Sequence, residues 1–297
     1  AVTDWTDARD VPVLAGHFDL ADFTSTVIEF LDLLGPRTHV IAVSQSSVPA
    51  LAATALLAAR SDPCVPASLT LLSGPIDTRI NPTAVNRLVE SRPLGWFERH
   101  VISQVPLPHA GALRRVYPGF MQLTGFMTMD LDQHVSAHAG LFNDLMTGDE
   151  DRVRLHGEFY DDYLAVMDLT AEFFLDTVAA VFQRHALPRG TFHHRGERVD
   201  CGAIRTTALL TVESGQDVIC GKGQTHAAHA ISPNLPDDFK VCLDFADAGH
   251  FGLFTGTQWR ELVAPSVVRF IRAAEDGAVT NAFGTLPENV VRLMPGR

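Results

Sequence analysis

The 297-residue sequence contains no run of eighteen or more apolar residues, the length that a membrane-crossing helix requires. It opens on no basic-then-apolar stretch, so no secretory leader is expected. Its four cysteines, Cys64, Cys201, Cys220 and Cys242, lie far apart and form no C-x-x-C pair. Reduced, mostly buried thiols in a cytoplasmic protein are therefore expected. The 23 Lys and Arg residues are scattered, and 35 Asp and Glu outweigh them to a net charge of −12. That argues against a nucleic-acid partner, whose footprint is a clustered basic face. Internal repeats and low-complexity segments are lacking as well. What is present is 46% apolar and 20% charged, the make-up of a globular protein with a full core.

Val2-Thr3-Asp4-Trp5 reads as the end of a strand. An amphipathic helix follows over Asp19 to Leu34, with Phe23, Val27, Phe30 and Leu31 at helical spacing and Gly35-Pro36 to stop it. Thr38 to Val43 is a strand, Val48 to Ala59 a helix rich in Ala and Leu, and Ala67 to Ser73 a second continuous apolar strand. Between about Asn81 and Asp200 this alternation gives way to helical segments such as Asp161 to Arg184. Aromatic and Met residues from Trp96 to Phe174 gather there as an ordinary helical core. Strands return at Thr207 to Val212 and Phe239 to Phe245, with a helix near Gln224–Ala230 between them and a last one over Gln258–Ala274. Apolar strands without polar alternation, separated by helices, point to an α/β protein with a mostly parallel sheet covered on both faces. The organisation expected is sheet, helical insert, sheet: 1–80 and 201–297 as the core, 81–200 as the insertion.

The first of these strands ends on Ser44-Gln45-Ser46-Ser47. Ala42-Val43-Ser44-Gln45-Ser46 fits the small-x-nucleophile-x-small frame of a nucleophile elbow, with Ala and Ser in the glycine places. A Ser that merely caps the next helix is the alternative, and Ser46 and Ser47 read as such caps. Acyl transfer by a hydroxyl also needs a base, and a carboxylate to orient that base. Asp217 stands a few residues past the strand TALLTV, and His250 just past FKVCLDF between glycines. Three strands thus bring Ser44, Asp217 and His250 to their carboxyl ends, where parallel sheets gather ligands. Glu213 is a rival acid at the strand end itself. Asp247, three residues from His250, reads as shaping that loop. His226 and His229 lack a third ligand at metal-site spacing and read as surface residues. His193-His194 with Asp200 and Cys201 matches no common zinc spacing and reads as a linker loop. The run Gly215 to Gly223 fails as a phosphate loop, because Lys222 precedes Gly rather than Ser or Thr.

On VTDWTDARDVP, GHFDLADF, VIEFL, HVIAVSQSSVPAL, TLLSGPIDTRINPTAVN, LLTVESGQDVICGKGQT and DAGHFGLFTG, the chain resembles the intracellular-type polyhydroxybutyrate (polyhydroxyalkanoate) depolymerases over nearly its whole length. The resemblance implies an α/β-hydrolase fold with a helical cap insertion, and hydrolysis of poly(3-hydroxybutyrate) in cytoplasmic storage granules. It sets Ser44 on the nucleophile, Asp217 on the acid and His250 on the base. On that placement the backbone N–H of Gln45, next after the nucleophile, would supply one oxyanion donor. No metal or organic cofactor is implied. The partner implied is the polyester granule surface, without nucleic acid or membrane span, and a homo-oligomer stays open. Two departures stand out: the family carries Cys at the place of Ser44, and its hydrolase domain begins with further strands ahead of VTDW. Those strands, with the loop that gives a second oxyanion donor, are expected to be missing from this chain. A short-chain esterase, an acyltransferase with a thiol acceptor, and a granule-surface protein with a degenerate site remain as alternatives.

Overall fold

The computed structural model describes residues 1–129, 131–277, 279–283, 286 and 289–293. The chain divides into two compact, interleaved units: Leu20–Pro93 with Asp176–Arg297, and Ala1–Asp19 with Leu94–Leu175.

The first unit is an α/β structure built on one mostly parallel sheet. Its sheet comprises β1 (His39–Val43), β2 (Ser68–Leu72), β3 (Ala208–Ser214), β4 (Lys240–Phe245) and β5 (Val290–Leu293), adjacent in that order. β1 to β4 are parallel, in register from His39↔Ser68 and Ser68↔Ala208 through Leu209↔Lys240. β5 runs antiparallel to β4, with Val290 opposite Phe245. Every residue of β2, β3 and β4 is buried, which is why these strands read as unbroken apolar runs. Helix α1 (Leu20–Leu34) packs on α2 (Ser47–Ala59), whose residues from Ser47 to Leu57 are all buried. Their small side chains let this helix lie close against β1 and β2. Near the chain's end, Val263, Val267 and Phe270, the last two on α3 (Ala264–Glu275), pack with Leu210, Val212, Val241 and Leu243 of the strands. β5 lay outside the sequence reading, a four-residue strand with only one fully buried position.

The other unit is mainly helical. Helices Gly119–Met129, Leu131–Thr147 and Glu150–Leu164 follow one another, and the last two meet through a ring stack of His138, His156 and Tyr160. Two expectations fail here. Val2–Trp5 forms no strand, and Val2 is almost fully exposed. The segment that follows is instead held by Arg114, whose guanidinium donates to the carbonyls of Val11, Pro12 and Gly16 at 2.9, 2.6 and 2.8 Å. Nor is Asp161 to Arg184 one helix. It stops at Leu164, Leu169–Thr170 pairs with Arg115–Tyr117, and a new helix starts at Ala171. Asp168 accepts the Gly119 N–H at 2.7 Å, so tertiary pairing overrides the local helical pattern. Among the described residues, no helix is long and apolar enough to cross a membrane.

Candidate active site

β1 to β4 each deliver a polar side chain just past their carboxyl ends: Ser44, Ser73, Asp217 and His250. Ser44 sits at φ +53° in a tight turn between β1 and α2. That left-handed conformation is uncommon for a residue with a Cβ, and nucleophile elbows use it to expose a hydroxyl. Ser46 fastens the turn, its hydroxyl donating to the Val43 carbonyl at 2.8 Å and accepting the Val43 N–H at 2.9 Å. Ser47 is buried, its hydroxyl 3.4 Å from the Ala42 carbonyl. Gly74, just past β2, presses on this turn. A Cβ there would lie 2.2 Å from Ser47 Cβ and 3.3 Å from the Ser44 carbonyl oxygen, so only glycine fits.

His250 bridges Ser44 and Asp217. Its Nδ1 lies 2.7 Å from Asp217 Oδ2 and its Nε2 3.1 Å from Ser44 Oγ. With Asp217 ionised, Nδ1–H donates to the carboxylate and Nε2 is left to accept the Ser44 proton. The imidazole is buried, with Phe251 and Phe254 edge-on to it at 5.6 Å. Asp217 is buried by its side chain, which alone would raise its pKa. The hydrogen bond and charge of His250, the Cys220 N–H and the Ser73 hydroxyl outweigh burial and hold the carboxyl below its ordinary 3.8. Oδ1 accepts the N–H groups of Ile219 and Cys220, each at 2.8 Å, which folds the loop around the acid. Gln45 follows Ser44 half-buried in the same turn.

The loops carrying Asp217 and His250 are joined to each other. The Gly215 N–H reaches the Phe245 carbonyl at 3.0 Å, the Gln216 N–H that of Ala248 at 3.2 Å, and Ser214 Oγ donates to Ala248 as well. Gly215 has no room for a side chain, since a Cβ would stand 2.6 Å from the Ala246 carbonyl oxygen.

The rival residues serve other ends. Glu213 is buried and faces its own loop, accepting the N–H groups of Gly223, Thr225 and His226 at 2.6, 2.7 and 2.9 Å. Asp247 is exposed, its carbonyl bound by Gln258. His226 and His229 are not surface residues. Both bind Thr211 Oγ1, at 2.7 and 2.8 Å, and burial pushes His229 down to about 3, so it is neutral. Glu213, His226 and Asp244 bring donor atoms within 4.8 Å of one another. Those atoms are engaged: Asp244 by His226 at 2.8 Å and by Lys222 at 2.7 Å, Glu213 by the three amides. The cluster locks the segment from Lys222 to His226 onto β3 and β4. His193-His194 forms a short hairpin with Glu197–Arg198, and Asp200 caps the turn at Cys201 by accepting the Gly202 N–H.

Ser73 was missed in the sequence. Its hydroxyl donates to Asp217 Oδ2 at 2.7 Å, and it too has a positive φ, +45°. A single Ser at a strand end carries no local signal when its partner lies 144 residues further on.

Residues 73–275 match the family described as PHB de-polymerase C-terminus, well over half of the chain. The chain belongs to this family. It is thereby placed among ester hydrolases. Asp217, His250 and Ser73 fall within the matched depolymerase segment, whereas Ser44 lies ahead of it. No curated protein matches the chain in sequence. Similar solved structures include a monoacylglycerol lipase from Paleococcus ferrophilus, at 13% identity and TM-score 0.47, covering 87% of this chain and 77% of that one. They also include an esterase from Thermogutta terrifontis, at 15% identity and TM-score 0.38, covering 89% and 75%.

Proposed function

We propose that this depolymerase-family protein hydrolyses the ester bonds of poly(3-hydroxybutyrate) through an acyl-enzyme on Ser44. The observation that carries the reading is the hydrogen-bonded chain Ser44–His250–Asp217 on a serine in the elbow conformation. Ser44 Oγ attacks the ester carbonyl while His250 Nε2 takes its proton, and the tetrahedral oxyanion is met by the backbone N–H of Gln45. His250 then protonates the departing hydroxyl of the polymer chain, and the 3-hydroxyacyl group stays on Ser44. Water, deprotonated by the same imidazole, releases it. Asp217 holds the tautomer throughout and stabilises the imidazolium. Family membership supports the choice of polymer, and with it a place on polyester granules in the cytoplasm.

The test is hydrolysis of amorphous poly(3-hydroxybutyrate) granules by the wild-type chain and by Ser44→Ala. The expected result is soluble 3-hydroxybutyrate products from the first and none from the second. Equal release by the variant removes Ser44 from the mechanism. Turnover of a soluble chromogenic ester without any granule hydrolysis makes the protein a short-chain esterase.

A further inference from the structure

Helix Leu131–Thr147 carries an apolar stripe that nothing among the described residues covers. Val135, Phe142 and Met146 are 60, 64 and 73% exposed, with Leu131 and Leu145 also open. Residues 131, 135, 142 and 146 follow the i, i+4, i+11, i+15 spacing of one helix face. The inward face is spoken for, because His134 and His138 stack on Tyr160 and Tyr163 of the following helix. Single exposed apolar residues are ordinary, but an aligned stripe of large ones marks a contact surface.

Charge narrows what that surface meets. From Val116 to Asp151 the sequence contains no Lys or Arg, and it carries six Asp or Glu. The next cations, Arg152 and Arg154, are already paired with Asp144, Asp149, Asp151 and Glu158. An amphipathic helix that lies on an anionic membrane is rich in Lys and Arg on its polar face, and this one has neither. Two copies of the chain meeting along the stripe would set acid against acid with no cation to answer. An uncharged apolar surface asks for no such answer. Resting on the proposed function, we propose that the stripe Leu131–Val135–Phe142–Met146 is the docking face by which the protein adsorbs to the surface of an insoluble, uncharged polyester.

The test is co-sedimentation of the full chain with protein-free amorphous poly(3-hydroxybutyrate) particles, beside phosphatidylglycerol vesicles and analytical ultracentrifugation of the protein alone. The triple variant Val135→Ser/Phe142→Ser/Met146→Ser is expected to adsorb to the particles at least about tenfold more weakly, from the apolar area it no longer buries. Leu33→Ser, a change at an 83% exposed leucine on α1, is expected to adsorb as the wild type does. Circular dichroism checks that both variants are folded, and turnover of a soluble ester is expected to stay unchanged. Equal adsorption by the triple variant overturns the proposal, as does equal weakening by Leu33→Ser. Stronger capture by the anionic vesicles, or a wild-type dimer that the triple variant dissolves, overturns it too by naming another occupant. Wild-type adsorption without polymer cleavage instead leaves the docking face standing and removes the proposed reaction.

Discussion

Ser73 Oγ and His250 Nδ1 converge on one oxygen of Asp217, each at 2.7 Å from Oδ2. The acid is thus held from β2 as well as from its own loop. Ser73→Ala removes a hydrogen bond to a charged acceptor, worth about 1.5–3 kcal/mol in such settings. Turnover is expected to fall by about tenfold, with substrate KM little changed. A loss as large as that from Asp217→Asn would make Ser73 a member of the reacting set rather than a positioning residue.

Asp217→Asn is expected to cost on the order of 10⁴ in turnover, as loss of tautomer control does in serine proteases. Glu213→Gln should cost far less in turnover and more in thermal stability, because an amide N–H₂ would face backbone donors at the Glu213 site. Parallel kinetics and melting curves of the two variants decide which carboxylate orients the base. If Glu213→Gln is the more damaging to turnover, the acid has been misassigned.

The depressed pKa of Asp217 also has a signature in acid. Its ionised form stabilises the fold fully above the ordinary 3.8, and this contribution is lost as pH falls through the lower folded value. The stability gap between wild type and Asp217→Asn should therefore be widest near neutral pH and close below pH 3.8. Denaturant melts across that range measure it, and a gap that widens in acid contradicts the sign.

Gly74→Ala adds a Cβ 2.2 Å from that of Ser47. The turn bearing Ser44 must shift, and displacements of about 1 Å at reacting groups cost on the order of 10² in rate. Far-ultraviolet circular dichroism should be unchanged while ester turnover drops. Full activity would show that the turn yields without moving the hydroxyl.

A phosphonate reagent is expected to label Ser44, and iodoacetamide to leave activity intact. Burial pushes Cys201 up to about 12 and Cys242 up to about 11, and it raises Cys220 well above the ordinary 9.0, so none offers a thiolate near neutral pH. In Ser44→Cys, activity should become sensitive to iodoacetamide. Peptide mapping checks the label, and its appearance on Ser46 or Ser47 would move the nucleophile.

How much of this was legible depended on whether the deciding contact was local. Strands buried on both faces betray themselves as apolar runs, so β2, β3 and β4 could be read, although β3 runs on to Ser214, past the Val212 where its apolar pattern stops. The Ser44 turn is local too, and the elbow frame exposes it. Ser73 and the inward turn of His226 and His229 were hidden, because each depends on a partner on another strand or loop. The break at residues 165–168 was likewise invisible. Its cause is an Asp168 carboxylate that reaches Gly119, 49 residues earlier, against a sequence pattern that still favours helix.

Glu213 holds the amides of Gly223, Thr225 and His226 with one buried carboxylate. Those three protons trade with deuterium when these hydrogen bonds open. The exchange rate of three backbone amides is then a clock for how often the segment from Gly223 to His226 comes away from the one carboxylate that holds it.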